Sequence, residues 1–212
     1  MKLLPNTRIF VPVGPPRAGK TTFCNALPDT PVFSFAEPLY TMIAAVIGEY
    51  KTRELRMYNQ KSEPISELGG KTLRQALQTL GTEWGRHAMD EDIWVNHLSR
   101  RITLLNPMSA AIDDMRFPNE VEFAREAEAI IVRLVPPYDD DATEQAHESE
   151  TYQHGFGSSF TVQWQTIPEL REAAVRIHAY VTGIAPDVAD LSHLITAKYT
   201  QTSPSPTKLG HG

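Results

Sequence analysis

Apolar and polar positions along the chain follow two alternating rhythms. Short runs dense in β-branched and aromatic residues occur at Arg8–Val13, 31–35, Ser109–Ile112 and 129–135. Each reads as a strand buried on both faces, since a half-exposed strand would alternate apolar with polar residues. Between these runs the spacing becomes helical. Segments 21–27, 38–48, 71–87, Ile93–Leu105, 121–127 and 167–183 carry apolar residues three or four apart, with Leu73, Leu77, Leu80 and Trp84 as the clearest stripe. Strand and helix in this order predict an α/β fold, a doubly wound parallel sheet with helices on both faces. Ligands of such sheets sit beyond the carboxyl ends of the strands.

Three stretches break the rhythm. Residues 51–70 mix charges without a clear period and read as an irregular connection holding at most a short helical piece. Residues 136–157, with Asp139-Asp140-Asp141 and His147-Glu148-Ser149-Glu150, are polar and longer than a plain connection needs, which suggests a mobile, lid-like excursion. Beyond Pro186, and above all from Thr200 onward, the composition is that of a flexible tail. The expected organisation is one domain over 1–185, the lid within it, and a C-terminal tail over 186–212.

Candidate chemistry concentrates where the first strand ends. Gly14-Pro15-Pro16-Arg17-Ala18-Gly19-Lys20-Thr21 spells G-x-x-x-x-G-K-T between that strand and a helix. In such a loop backbone N–H groups turn inward on phosphates, Lys20 reaches the β- and γ-phosphates, and the Thr21 hydroxyl holds Mg²⁺. A nucleoside triphosphate is therefore the expected ligand, a Gly/Pro-rich surface turn being the bland alternative. A second carboxylate-bearing edge follows Ser109–Ile112: Asp113 and Asp114 point to opposite sides of an extended chain, so one of them faces the site. Asp114 is favoured because it shares its side with Arg116, a phosphate-pairing cation; an N-cap or turn carboxylate is the ordinary alternative. On the third helix Arg74, Gln78, Gly81 and Thr82 recur at helical spacing on the side away from the leucine stripe. They could contact a planar base and its phosphate, or simply form a solvated face.

Charge narrows the class of ligand. With 20 Lys+Arg against 26 Asp+Glu, a net charge of −6 argues against wrapping a nucleic-acid polymer, whose binding draws on a basic surface. Small phosphorylated substrates remain compatible. Cys24 is the single cysteine, so no internal disulfide can form, and its place after the loop suits a buried apolar role. Neither a signal-peptide core nor an apolar stretch of membrane-spanning length is present, and a soluble, cytoplasmic chain is expected. The oligomeric state is open, a homodimer being the common case for enzymes.

From about Arg8 to Val181 the chain resembles the phage-type deoxynucleoside monophosphate kinases, a P-loop NTPase family. The resemblance rests on the loop from Gly14 to Thr22, Phe33-Ser34-Phe35-Ala36-Glu37-Pro38-Leu39, and the long block Arg74-Gln75-Ala76-Leu77-Gln78-Thr79-Leu80-Gly81-Thr82-Glu83-Trp84-Gly85-Arg86. Asp92-Ile93-Trp94-Val95, Asp114-Met115-Arg116-Phe117-Pro118-Asn119-Glu120 and His147-Glu148-Ser149-Glu150 complete it. It implies transfer of the γ-phosphoryl of ATP, with Mg²⁺, onto a deoxynucleoside 5′-monophosphate (dNMP). It further implies that Gly14, Arg17, Ala18, Gly19, Lys20, Thr21 and Thr22 hold ATP, and that Arg74, Gln78, Gly81, Thr82 and Trp94 line the dNMP pocket. Asp114, Arg116 and Glu120 would complete the catalytic edge, with Arg17 and Arg133 as further candidates for following the transferred phosphate. The chain departs from the family pattern at Ala18 and Thr21, where many members have Ser and Asp, and at Glu37, where Asp is usual. Rival readings are another small-molecule kinase, acting on a ribonucleotide or a coenzyme precursor, and a nucleotide-switched binding protein.

Overall fold

The computed structural model describes residues 7–57, 60–138 and 157–198. In chain order its elements are β1 (Arg8–Val13), α1 (Lys20–Ala26), β2 (Val32–Phe33), α2 (Glu37–Ile47), α3 (Glu49–Met57), β3 (Pro64–Ile65) and β4 (Lys71–Thr72). They continue with α4 (Leu73–Gln78, extended by a π-helix over Thr79–Met89), α5 (Ile93–Leu105), β5 (Ser109–Ile112), α6 (Pro118–Glu126) and β6 (Ile130–Val135). Last come β7 (Phe160–Gln163), α7 (Ile167–Val181) and β8 (Ile195–Ala197). The main sheet runs β2-β5-β1-β6-β7-β8, parallel except for β8, and β3 with β4 forms a separate antiparallel pair.

Strand alternation sorts the core into two layers. Ile9, Val11 and Val13 of β1, with Ala110 and Ile112 of β5, pack on Leu39 of α2, Trp94, Leu98 and Ile102 of α5 and Phe123 of α6. Phe10 and Ala111 face the other way, onto Phe23 and Cys24 of α1 and Leu170, Ala174 and Ile177 of α7. This is the expected doubly wound α/β architecture, covered on both sides. Burial pushes the Cys24 thiol well above its ordinary range, as suits an apolar filler rather than a nucleophile. A third cluster joins Ile43 and Ile47 of α2, Leu55 of α3, Ile65 of β3 and Leu73 of α4 into a small body beside the sheet.

Several segments differ from the reading of their sequence. Within 51–70, read as an irregular connection with room for a short helical piece, lie the end of α3 and strand β3, which pairs with β4 just beyond it; α3 buries only Thr52 and Leu55, so apolar spacing does not mark its bounds. Past residue 185, where a tail is expected, Ile195–Ala197 pairs antiparallel with β7 and closes the sheet edge. Residues 199–212, and all of the lid-like excursion except 136–138 and 157, lie outside the described residues, as does His147-Glu148-Ser149-Glu150. The helix after Thr72 begins with a capping box, Gln75 N donating to Thr72 Oγ1 and Thr72 N to Gln75 Oε1. It then loosens to the wider π register. That change rotates its second half. Trp84, expected in the core stripe, is 38% exposed, while Gly81 and Gly85 turn inward. No helix among the described residues is long and apolar enough to cross a membrane.

Candidate functional site

The loop from Gly14 to Gly19 leaves β1 between β6 and α7, and its glycines are required by contact. A Cβ on Gly14 would lie 2.7 Å from the Leu134 carbonyl oxygen. Gly19 has φ +86°, and a Cβ there would meet Leu170 Cδ2 at 2.4 Å. Ala18 is fully buried, and Arg17 takes a left-handed φ of +65° that leaves its side chain exposed. Lys20 arches back over the loop, Nζ donating to the carbonyl oxygens of Gly14 at 2.7 Å and Pro15 at 2.9 Å. The ammonium thus stands directly above the turn.

The two carboxylates after β5 do diverge, but with roles opposite to those expected. Asp113 faces the loop, its Oδ2 accepting from Thr21 Oγ1 at 3.0 Å. Asp114 faces α2: it accepts from Ser34 Oγ at 2.5 Å, Phe35 N at 2.8 Å and Ala36 N at 3.0 Å, bracing the turn that starts that helix. The reason is parity. Asp113 shares its side of the strand with Ala111, which packs toward α1, and Asp114 shares its side with Ala110 and Ile112, which pack toward α2 and α5. Burial, then the neighbouring Asp114 charge, raises the Asp113 carboxyl above its ordinary value, against the lowering effect of Thr21 and Arg56. Thr21 and Asp113 present the hard oxygen donors that suit Mg²⁺, an ion that takes few protein ligands when phosphates supply the rest.

Glu120, which the resemblance places at the catalytic edge, is only 1% exposed. Its Oε2 accepts the backbone N–H groups of Arg116 (2.6 Å) and Phe117 (3.0 Å), and its Oε1 accepts from Arg86 Nη2 at 2.6 Å. Arg86 also lies 3.9 Å over the Phe117 ring. Burial first, and the Asp114 charge second, raise the Glu120 carboxyl, while these donors pull it back. The unit fixes the backbone that carries Arg116, whose guanidinium is exposed. Arg86 is the residue that sequence reasoning leaves without a role. Its signal is a buried carboxylate four residues after an arginine that faces solvent.

The expected dNMP face of the third helix is split by the π register. Arg74 and Gln78 are exposed and Thr82 is half-buried, but Gly81 and Trp94 are packed against each other, Trp94 Nε1 donating to the Gly81 carbonyl at 2.8 Å. Trp94 is 4% exposed, and a Cβ on Gly85 would fall 2.4 Å from its ring. Gly81 and Trp94 are therefore packed into the interior of the protein: Gly85 makes room for the indole, and a Cβ on Gly81 would meet Leu39 Cδ1 at 3.0 Å. Gln78 borders an open groove of about 750 Å³ between α2 and α4, with Met42, Val46, Gln75, Leu80 and Glu83. Glu37 is paired with Arg101 beside His97 and Thr41.

Two comparisons bear on this arrangement. The chain is 37% identical over 83 residues to the deoxynucleoside-5′-monophosphate kinase of Escherichia phage T5, a match covering 37% of the chain and 33% of that protein. It is 29% identical over 147 residues, 63% of the chain and 75% of the relative, to an Acanthamoeba polyphaga mimivirus protein to which deoxynucleotide monophosphate kinase activity is ascribed. No family model matches the chain. The match spans about a third of the phage protein's length, and the chain is similar, over these parts, to viral proteins named as deoxynucleotide monophosphate kinases.

Proposed function

We propose that the chain phosphorylates deoxynucleoside 5′-monophosphates with ATP, giving dNDP and ADP. The observation that carries this reading is the Thr21–Asp113 contact beneath a glycine loop straddled by Lys20. In this reading an oxygen of the acceptor phosphate attacks the γ-phosphorus in line, a new P–O bond forms, and the bond to the β–γ bridging oxygen breaks as ADP leaves. The acceptor is already anionic near neutral pH, so alignment and charge compensation matter more than proton transfer. Gly14, Arg17, Ala18, Gly19, Lys20, Thr21 and Thr22 hold ATP. Thr21 and Asp113 would hold Mg²⁺, which supplies charge neutralisation to the phosphates when bound. Lys20 and the exposed Arg116 carry positive charge to the reacting phosphates, while Arg74, Gln78 and Thr82 remain the accessible candidates for the acceptor. Asp114, Glu120, Gly81 and Trp94 position these groups from behind.

ADP release measured with each of the four dNMPs tests the reading. Acceptor-dependent ADP formation is the expected result, and vigorous ATP hydrolysis indifferent to every dNMP would overturn it. The two carboxylates separate in the same assay. Asp113→Asn keeps the Thr21 contact but loses a negative charge, so kcat should fall about 100-fold with a raised Mg²⁺ requirement and an unchanged melting temperature. Asp114→Asn weakens a charged acceptor of three donors, so stability should fall by about 2 kcal/mol with a smaller kcat effect. The opposite pattern would return the metal-side role to Asp114.

A further inference from the structure

Arg56 ends α3, in a segment that no motif of the chain singles out. Its guanidinium carbon stands 4.5 Å from the centre of the Tyr40 ring on α2, and Lys61 Nζ approaches the same ring at 5.7 Å. The Lys61 carbonyl accepts the Arg74 backbone N–H at 2.9 Å, which sets the start of α4 beside this pair. Two cations, Arg56 and Lys61, therefore lie at one corner against one aromatic ring beside the backbone of Arg74, and no ion pair among the described residues neutralises them. Assembling like charges without a counter-ion is unfavourable unless an anion completes the set.

The corner belongs to the small body formed by α2, α3, β3 and α4, the same body that carries Gln78. Arg56 is also near enough to Asp113 for its charge to be felt at that carboxylate. An arginine stacked on a tyrosine keeps the edge of its fork free, and that edge matches two oxygens of a phosphate monoester.

We propose that Arg56, seated on Tyr40 with Lys61 against the same ring, grips the phosphate monoester of the acceptor nucleotide. The assignment rests on the kinase reading above for the identity of the acceptor, and on geometry for the anion site. Equilibrium dialysis of dNMPs and of the matching unphosphorylated deoxynucleosides, run beside steady-state kinetics, tests it with Arg56→Met and Arg56→Lys. Arg56→Met should bind the dNMP about tenfold more weakly, the loss expected for one charged hydrogen-bonding partner. Deoxynucleoside affinity, KM for ATP and melting temperature should stay as in the wild type, with Arg56→Lys between the two. Undiminished dNMP affinity in Arg56→Met, or an equal loss for the deoxynucleoside, overturns the anchor. If the wild type forms dNDP while Arg56→Met binds dNMP normally, the anchor falls and the kinase reading stands. If the wild type binds dNMP in an Arg56-dependent way yet forms no dNDP, the kinase reading falls and the anchor stands. A wild type that binds no dNMP overturns both.

Discussion

Lys20→Ala is expected to leave a folded protein that has lost at least about 10³-fold in kcat, the scale on which one well-placed cation acts in phosphoryl transfer. In barrier terms that is about 4 kcal/mol. The fold should hardly notice, because the hydrogen bonds from the ammonium to the partly exposed Gly14 and Pro15 carbonyls are worth together about 1 kcal/mol after water replaces them. Single-turnover transfer from labelled ATP, with a thermal melt on the same sample, separates the two quantities. A variant that keeps more than a tenth of the wild-type rate would show that the loop does not carry the transferred phosphoryl group.

Arg86→Met should produce the largest loss of stability. The guanidinium and the Glu120 carboxylate have side chains only 8% and 2% exposed, and removing one member of so dry a pair costs about 3–5 kcal/mol. Met retains much of the apolar stem over Phe117, so the defect isolates the charge. The dependence on pH has a definite sign. Glu120 already titrates above its unfolded value, and taking away Arg86 removes a lowering influence, so it rises further. The folded variant then binds a proton that the unfolded chain has released, and its stability falls as the pH rises from the ordinary glutamate range toward 8. Urea unfolding of both proteins at pH 6 and pH 8 should show the wider gap at pH 8. A gap that narrows with rising pH would mean that Glu120 is satisfied without its arginine. Activity should fall as well, since the Glu120 carboxyl that holds the Arg116 backbone loses the guanidinium that fixes its own place.

Much of the frame is legible in the sequence. Ser109–Ile112 and Ile93–Leu105 are found at the bounds their apolar residues suggest, because a strand buried on both faces and a long amphipathic helix each leave a strong local pattern. The glycine loop is legible for a different reason: a Cβ on Gly14 would strike the Leu134 carbonyl oxygen, and Gly19 holds a left-handed φ of +86°. What stayed hidden depends on partners distant in sequence. Helix α3 is held by two buried residues and otherwise reads as polar. Strand β8 is three residues long and gains its pairing from β7. The face shared by Arg74, Gln78, Gly81 and Thr82 assumes an α-helical period that the π segment under Trp94 breaks. The choice between Asp113 and Asp114 needed to know which layer Ala111 packs against, information that lies in α1 and not beside the aspartates.

Strand β5 is four residues long and ends in two carboxylates that serve opposite layers. An insertion or deletion of one residue within it would turn its end over, handing each aspartate the other's neighbours. A surface loop absorbs a one-residue change far more readily, whereas this strand can change length only in steps of two without cutting Thr21 and Ser34 from their acceptors at a single stroke.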